Sequence, residues 1–440
     1  MFENVLGQNS TSQLISDINS SKLSPAMLFA GPPSSGKGTA SLELARVLSC
    51  EKEVKAAWDC SCSSCARHRL LIHPDLLCLG LKSFCAEISA SSVAVQRDRS
   101  GRVLFIRSVR KLLARFNPFL WEDDPRASRI SSLVSSMDED LNEFEILSEI
   151  EVAGTENSAV DKLALSITKS SYKLESEGIS DNIPIGQIRR SAYWSRLAPS
   201  GNRKLLVIEN ADRMQDEARN SLLKILEEPP QRVNIVLCTT RPGSIIPTIL
   251  SRLRAYRFVK RDPLTEDDVI RRVFKDPKAE AGIGINAYLD SFLPVSKNTI
   301  NSLAAYFTSS IAYKAALLSR RQGHQLGEEA LLLGRYSASI AEAASLGRHE
   351  ANNIVLLNFI MEKAEKFEVR SLFSSFLQSI LDQVSHSLKQ KEGFSPKPAY
   401  LQLWIKNISW AENAAGIYRI RPVQVLEKLY TDLSRGLAET

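Results

Sequence analysis

Short apolar runs and amphipathic stretches take turns through the first 260 residues. Leu28-Phe29-Ala30, Leu76-Leu77-Cys78-Leu79, Lys204-Leu205-Leu206-Val207-Ile208 and Asn234-Ile235-Val236-Leu237-Cys238 read as buried strands, bounded by turn or polar residues. Residues 12–18, 40–48, 185–197 and 212–226 carry apolar positions at helical spacing. Strands that end in polar groups and alternate with helices predict a doubly wound parallel α/β sheet with its site at the carboxyl edge. After Pro263 the pattern is helical to the end. It starts at a capped Leu264-Thr265-Glu266 and continues through stretches near 300–320, 328–345, 350–389 and 398–435, with a break over 390–398.

Between about 80 and 180 the order fades. A basic cluster, Arg97 to Arg115, precedes an acidic, serine-rich tract running through Glu122-Asp123-Asp124 and Asp138-Glu139-Asp140 to Glu151. A helix is expected over 103–116, and partial disorder over much of the rest. The basic run is expected to pair with the acidic tract or to face solvent rather than to grip nucleic acid.

The first apolar run opens onto Gly31-Pro32-Pro33-Ser34-Ser35-Gly36-Lys37-Gly38-Thr39, with a helix beyond. Strand, glycine-bounded loop and helix is the setting of a phosphate-binding loop. Gly31 and Gly36 turn backbone N–H groups toward an anion, the helix start adds its dipole, and Lys37 supplies a charge for the β and γ phosphates. A hydrolytic loop has Ser or Thr directly after the lysine to hold Mg²⁺. Gly38 stands there, with the hydroxyl one residue later at Thr39. ATP binding is therefore expected, while Mg²⁺ and hydrolysis are left open. The strand over 204–209 ends in Glu209, where a carboxylate would hold the metal, but the adjacent place is Asn210, which cannot accept a proton. Thr239-Thr240 ends the next strand with hydroxyls placed to sense a γ-phosphate. Arg252 follows on a short helix, either as an ion-pair partner at the core edge or as a finger for a neighbour's nucleotide.

Cys50, Cys60, Cys62 and Cys65 crowd into sixteen residues. Four thiolates so spaced can close a tetrahedral Zn²⁺ shell, with His68 and His73 as candidate substitutes. No His/Glu pair accompanies them at a spacing that would leave an open catalytic position. At 440 residues the chain is too long for one core, and a net charge of +6 is too small to argue for nucleic acid by itself. No apolar run is long enough to span a membrane, and the opening residues do not read as a secretory leader, so a cytoplasmic protein is expected.

Taken together, these residues resemble the AAA+ subunits of the bacterial DNA polymerase III clamp loader. Phe2-x-Asn4-Val5-x-Gly7-Gln8 is similar to that family's opening segment, Gly31 to Thr39 to its Walker A loop, and Cys50 to Cys65 to its zinc module. His73-Pro74-Asp75, Glu209-Asn210 at Walker B, Asn220 to Pro230, and Thr240 at sensor 1 follow in the family's order. Ser251-Arg252-Leu253 resembles the motif whose arginine acts on the next subunit's ATP. Within the family, Gly38 and Asn210, together with the tail Arg419 to Leu429, point to the delta-prime type. The gamma/tau type is an active ATPase, and it remains the alternative, with a nucleoside-phosphate kinase further off. The resemblance implies an AAA+ domain over 1–260 (zinc module 50–65, insertion about 80–180), a helical lid over 261–325 and a collar over 326–440. It also implies other clamp-loader subunits as direct partners, and the sliding clamp and primer-template DNA as partners through the complex.

Overall fold

The apolar runs form a single parallel sheet. Its strands are β1 (Ala26–Ala30), β2 (Leu76–Gly80), β3 (Lys204–Glu209), β4 (Val233–Thr239) and β5 (Arg254–Arg257), in the order β2-β3-β4-β1-β5. This computed structural model describes residues 1–52, 57–80, 83–150, 158–180, 182–293, 295–346, 369–390, 395–416 and 420–439. β5 is the edge strand that the sequence pattern hid. Its Arg-Ala-Tyr-Arg run buries only Tyr256, whose ring meets Phe29 edge-on at 5.7 Å.

Side chains alternate strictly across the sheet, as a strand's period of two requires. Leu28, Leu206, Ile208, Ile235 and Leu237 face one core, whereas Met27, Phe29, Leu205, Val207 and Val236 face the other. The second face is covered by the helices Asn9–Asn19 and Lys37–Ser49 and by the cysteine-bearing segment. On this side Arg46 and Glu43, both about 1% exposed, form a buried pair at 2.8 Å.

The first face is covered by the segment expected to be partly disordered, and here the expectation is corrected. Among the described residues it forms the helices Cys85–Arg97, Arg102–Leu113, Ala127–Ile150 and Ala159–Gly178. Phe105, Val109, Leu112, Met137, Leu141, Phe144, Ile167 and Leu174 join the same core as Ile208 and Leu237. The helical signal was present at Ile130, Val134, Met137, Leu141 and Phe144, spaced three and four apart, but serines and acids between them diluted it. Part of the basic run pairs with the acidic tract, as expected, Arg110 with Glu145 at 2.5 Å and Arg102 with Glu149 at 3.0 Å, whereas Arg99 pairs beyond it with Asp161 at 2.8 Å and Lys111 before it with Glu87. Glu151 and the rest of 151–157 lie outside the described residues.

Phe144 is fully buried, with its ring 4.8 Å from that of Phe105. Phe144→Ala is therefore expected to cost the first unit about 3–5 kcal/mol in denaturant unfolding. A loss below about 1 kcal/mol would mark the inserted helices as an appendage rather than core.

The chain divides into two compact units, Met1–Leu293 and Pro294–Thr440. The expected bounds were 260 and 325. The helices Pro263–Val273 and Ile285–Asp290 belong to the first unit, where Ile270, Phe274 and Tyr288 cluster with Ala90. Asp262 caps the first of these by accepting from the Thr265 N–H. Lys297–Arg321 belongs to the second unit, with Glu328–Ala343, Val369–Lys389, Pro398–Gly416 and Pro422–Glu439. Phe307, Phe376, Trp404, Leu429 and Leu433 lie in that unit's core. Expected features at 350–368, 391–394 and Arg419 lie outside the described residues. Among the described residues no helix is long and apolar enough to cross a membrane.

Candidate functional site

The loop after β1 folds back on itself. Gly36 sits at φ 92° as the N-cap of the helix Lys37–Ser49, a conformation that L side chains rarely adopt. A Cβ on Gly36 would lie 2.6 Å from Nη2 of Arg261, and one on Gly31 would lie 2.2 Å from the Phe258 carbonyl oxygen. The two glycines thus admit the strand-exit segment 258–261 against the loop. Arg261, 8% exposed, donates to the Leu6 carbonyl at 2.9 Å and to the Ser34 carbonyl. Ser34, at the loop tip, donates to Asn286 Oδ1 at 2.5 Å. Lys37 Nζ turns back onto the Gly31 carbonyl at 2.8 Å and the Pro32 carbonyl at 2.5 Å, with Ser35 Oγ at 3.2 Å.

The sheet brings the other expected residues to the same carboxyl edge. Glu209 ends β3, and its Oε2 accepts from Nη2 of Arg115, a side chain 7% exposed at the end of the inserted helix Arg102–Leu113 and its following turn. Burial works against the charge on Arg115, but the Glu209 carboxylate and Cys78 outweigh it and raise the guanidinium's pKa. Its carbon also lies 5.3 Å from the centre of the Phe84 ring. Gly38, Ser41, Lys111, Arg115 and Glu209 line one cleft, of about 400 Å³ of empty space including its open mouth. Of the loop only Gly38 is among the lining residues; Gly31 to Lys37, Thr39 and Arg252 are not.

Asn210 has a local backbone reason. At φ 50° it takes the left-handed turn into the short 3₁₀ helix Ala211–Arg213, a conformation Asn tolerates better than most residues. The longer helix starts only at Asp216, not at 212 as the periodicity predicted. Of the two threonines, Thr239 is buried and donates to Asp212 Oδ1 at 2.6 Å, whereas Thr240 is exposed. Arg115, Arg261 and Asp212 were not singled out from the sequence. Nothing in local spacing tells an arginine that pairs across the fold from one that faces solvent.

Arg252 is exposed at the end of the short helix Pro247–Leu250. Nη2 donates to Glu227 Oε1 at 2.8 Å and Nη1 to the Thr248 carbonyl at 2.5 Å. Its side chain is 34% exposed and that of Glu227 is 51% exposed.

The four clustered cysteines converge. Sγ atoms of Cys50, Cys60, Cys62 and Cys65 all lie within 4.8 Å of one another, with Cys50 and Cys60 at 3.8 Å. The helix Ser63–Arg69 begins at Cys62, whose sulfur accepts from the Cys65 N–H at 3.4 Å. Burial would raise the Cys62 thiol, but hydrogen bonds from the Glu51 and Cys65 backbone bring it down to about 7; Cys65 is pushed up by burial and the neighbouring sulfurs. His68 and His73 are not part of the group. Their rings stack on each other at 4.0 Å, and His73 is held by Ser64 and the Asp75 N–H. Residues 53–56, inside the loop, lie outside the described residues.

The family model described as "DNA polymerase III, delta subunit" matches residues 7–118 and 145–262, together more than half of the chain. DNA polymerase III subunit delta' of Bacillus subtilis (strain 168) is 37% identical over 75 residues, 17% of this chain and 23% of that protein. DNA polymerase III subunit gamma/tau of Mycobacterium bovis (strain ATCC BAA-935 / AF2122/97) is 32% identical over 88 residues, 20% of this chain and 15% of that one. The matches thus span less than a quarter of these relatives' own length. A DNA polymerase III gamma subunit-related protein from Thermotoga maritima superposes with a TM-score of 0.27 and 18% identity, over 63% of this chain and 90% of that one. So loose a superposition carries no weight for fold or function.

Proposed function

Because the chain belongs to the DNA polymerase III delta subunit family, we propose that it works as a delta-prime-type clamp-loader subunit that lends Arg252 to a neighbour's ATP. What carries the reading is a contrast between two arginines. Arg252 stands at the surface on an exposed ion pair, while Arg115 occupies the chain's own metal-site carboxylate. A guanidinium offered to a partner's γ-phosphate stabilises charge that develops only in the transition state. The chain's own Gly31–Thr39 loop binds nucleotide without turnover. Gly38 offers no hydroxyl for a metal, and Asn210 cannot take a proton from water. The partners in this reading are the other clamp-loader subunits, and the outcome is ATP-dependent loading of a sliding clamp on primed DNA.

The cysteine group is assigned to structural zinc. Tetrahedral Zn–S bonds of about 2.3 Å put sulfurs about 3.8 Å apart, and Cys50 and Cys60 stand at 3.8 Å. Cys50, Cys60, Cys62 and Cys65 would all ligate, leaving no open position for a substrate. The metal would supply the folding energy that this loop lacks in apolar core.

The purified chain is expected to show essentially no steady-state ATP hydrolysis and to enter a stable complex when mixed with the remaining clamp-loader subunits. Brisk hydrolysis by the isolated chain, abolished by Lys37→Ala, would reassign it to the gamma/tau-type motors.

A further inference from the structure

The carboxylate at the end of β3 is already neutralised from within. A divalent ion at a phosphate loop is held between a hydroxyl directly after the loop lysine and a carboxylate at a neighbouring strand end. Here Gly38 offers no oxygen at the first place, and at the second Glu209 Oε2 accepts from Arg115. Mg²⁺ demands near-octahedral oxygen coordination at about 2.0–2.1 Å. The cleft's oxygen groups do not fit it: Glu209 is already paired with a guanidinium, and the Ser41 hydroxyl donates to the Gly38 carbonyl at 2.8 Å.

Arg115 is also built in rather than draped over the site. The Trp121 indole N–H donates to its carbonyl at 2.8 Å, and Phe116 and Trp121 on its C-terminal side are core residues. Two of its donors, Nε and Nη1, are buried and find no oxygen acceptor among the described residues, with only the Cys78 thiol beside the guanidinium. Buried charged donors without acceptors are costly, and an anionic oxygen is the group that satisfies them best. Lys111, one helical turn earlier, adds a second cation to the cleft wall beside its partner Glu87.

We propose that Arg115 takes the place of the divalent cation, so that the Gly31–Thr39 loop holds the phosphates of a nucleoside triphosphate with no need for Mg²⁺. This rests on the reading that the loop binds nucleotide. It replaces a dissociable ion, which would follow nucleotide in and out, by a permanent charge supplied by the inserted helices. A fixed guanidinium can neutralise phosphate but cannot lower the pKa of a water, so the site suits retention rather than turnover.

The test is an equilibrium titration of the full chain with a fluorescent N-methylanthraniloyl ATP, with and without added Mg²⁺. Chelator is left out so that any zinc on the thiols is undisturbed. The expected result is affinity equal within about threefold in the two buffers. A larger gain on adding Mg²⁺ would overturn the inference while leaving the trans role of Arg252 intact. Absence of binding in both buffers would overturn this inference and the nucleotide reading together. Arg115→Met should lose about tenfold in affinity without Mg²⁺. Because that variant could fold poorly, the wild-type comparison decides the matter by itself.

Discussion

Arg252→Ala is expected to reduce DNA-stimulated ATP turnover at the neighbouring site of the assembled complex by about a thousandfold, the lower range for an arginine finger. In the whole complex the loss would reach its full extent only if the sites fire in sequence; otherwise the remaining sites set the residual rate. Lending the side chain costs little. The pair with Glu227 has both members substantially exposed, and such pairs are worth about 0–1 kcal/mol. Glu227→Gln should therefore leave stability within about 0.5 kcal/mol of wild type. Arg252→Lys keeps the charge but loses the planar fork, and should recover only part of the rate. Lys37→Ala in the same chain should change turnover little, because in the proposed division of labour its site does not fire. The measurement is phosphate release by the reconstituted complex on primed DNA with each variant in turn. If Lys37→Ala proved the more damaging change, the division of labour proposed here would be wrong.

Removing zinc is expected to have the largest effect on stability. The segment around Cys60, Cys62 and Cys65 brings few apolar side chains besides the cysteines themselves, and polar and cation–π contacts add to their packing in tying it to the domain. Arg46 Nη1 donates to the Ala57 carbonyl at 2.8 Å, and Arg69 donates to the Trp58 and Cys60 carbonyls at 2.8 and 2.7 Å. The guanidinium carbons of Arg46 and Arg107 lie 5.4 and 5.2 Å from the Trp58 ring centre. If the loop opens, these acceptors leave and the buried Arg46–Glu43 pair is hydrated, so a local loss spreads into the helix Lys37–Ser49. Purified protein should carry one zinc per chain by elemental analysis. Cys62→Ser or Cys65→Ser should abolish this and cost about 4 kcal/mol or more, lowering Tm by about 10 °C. His68→Ala should keep the metal, since its ring stacks on His73 and is not part of the sulfur group. A wild-type chain free of zinc and equally stable with chelator present would refute the assignment.

Some of this was legible in the sequence because the signals are local. A strand–loop–helix pattern places Gly31 to Lys37 whatever the rest of the fold does, and the positive φ at Gly36 is written in the glycine itself. The four cysteines were close enough in sequence to be grouped, and the structure settles that His68 and His73 stand apart. Of the inserted helices, the one expected over 103–116 is present as Arg102–Leu113, whereas the others were misread because their apolar stripe is thin and stability there comes from packing on the sheet rather than from helix propensity. β5 was missed because an edge strand buries one side chain in four and has no alternation to show.

What the sequence determined by itself, then, is the set of local features: a glycine-bounded loop with its lysine between a strand and a helix, a thiol quartet, a polar carboxyl edge, and the missing hydroxyl at Gly38. Tertiary structure alone decided which charges meet. Arg115 lies 94 residues from Glu209 along the chain, and Arg261 lies 227 residues from Ser34. Arg115 and Arg252 look alike as letters. The fold buries the first against a carboxylate and leaves the second at the surface, because burial and pairing are set by which faces pack together and not by the residues on either side.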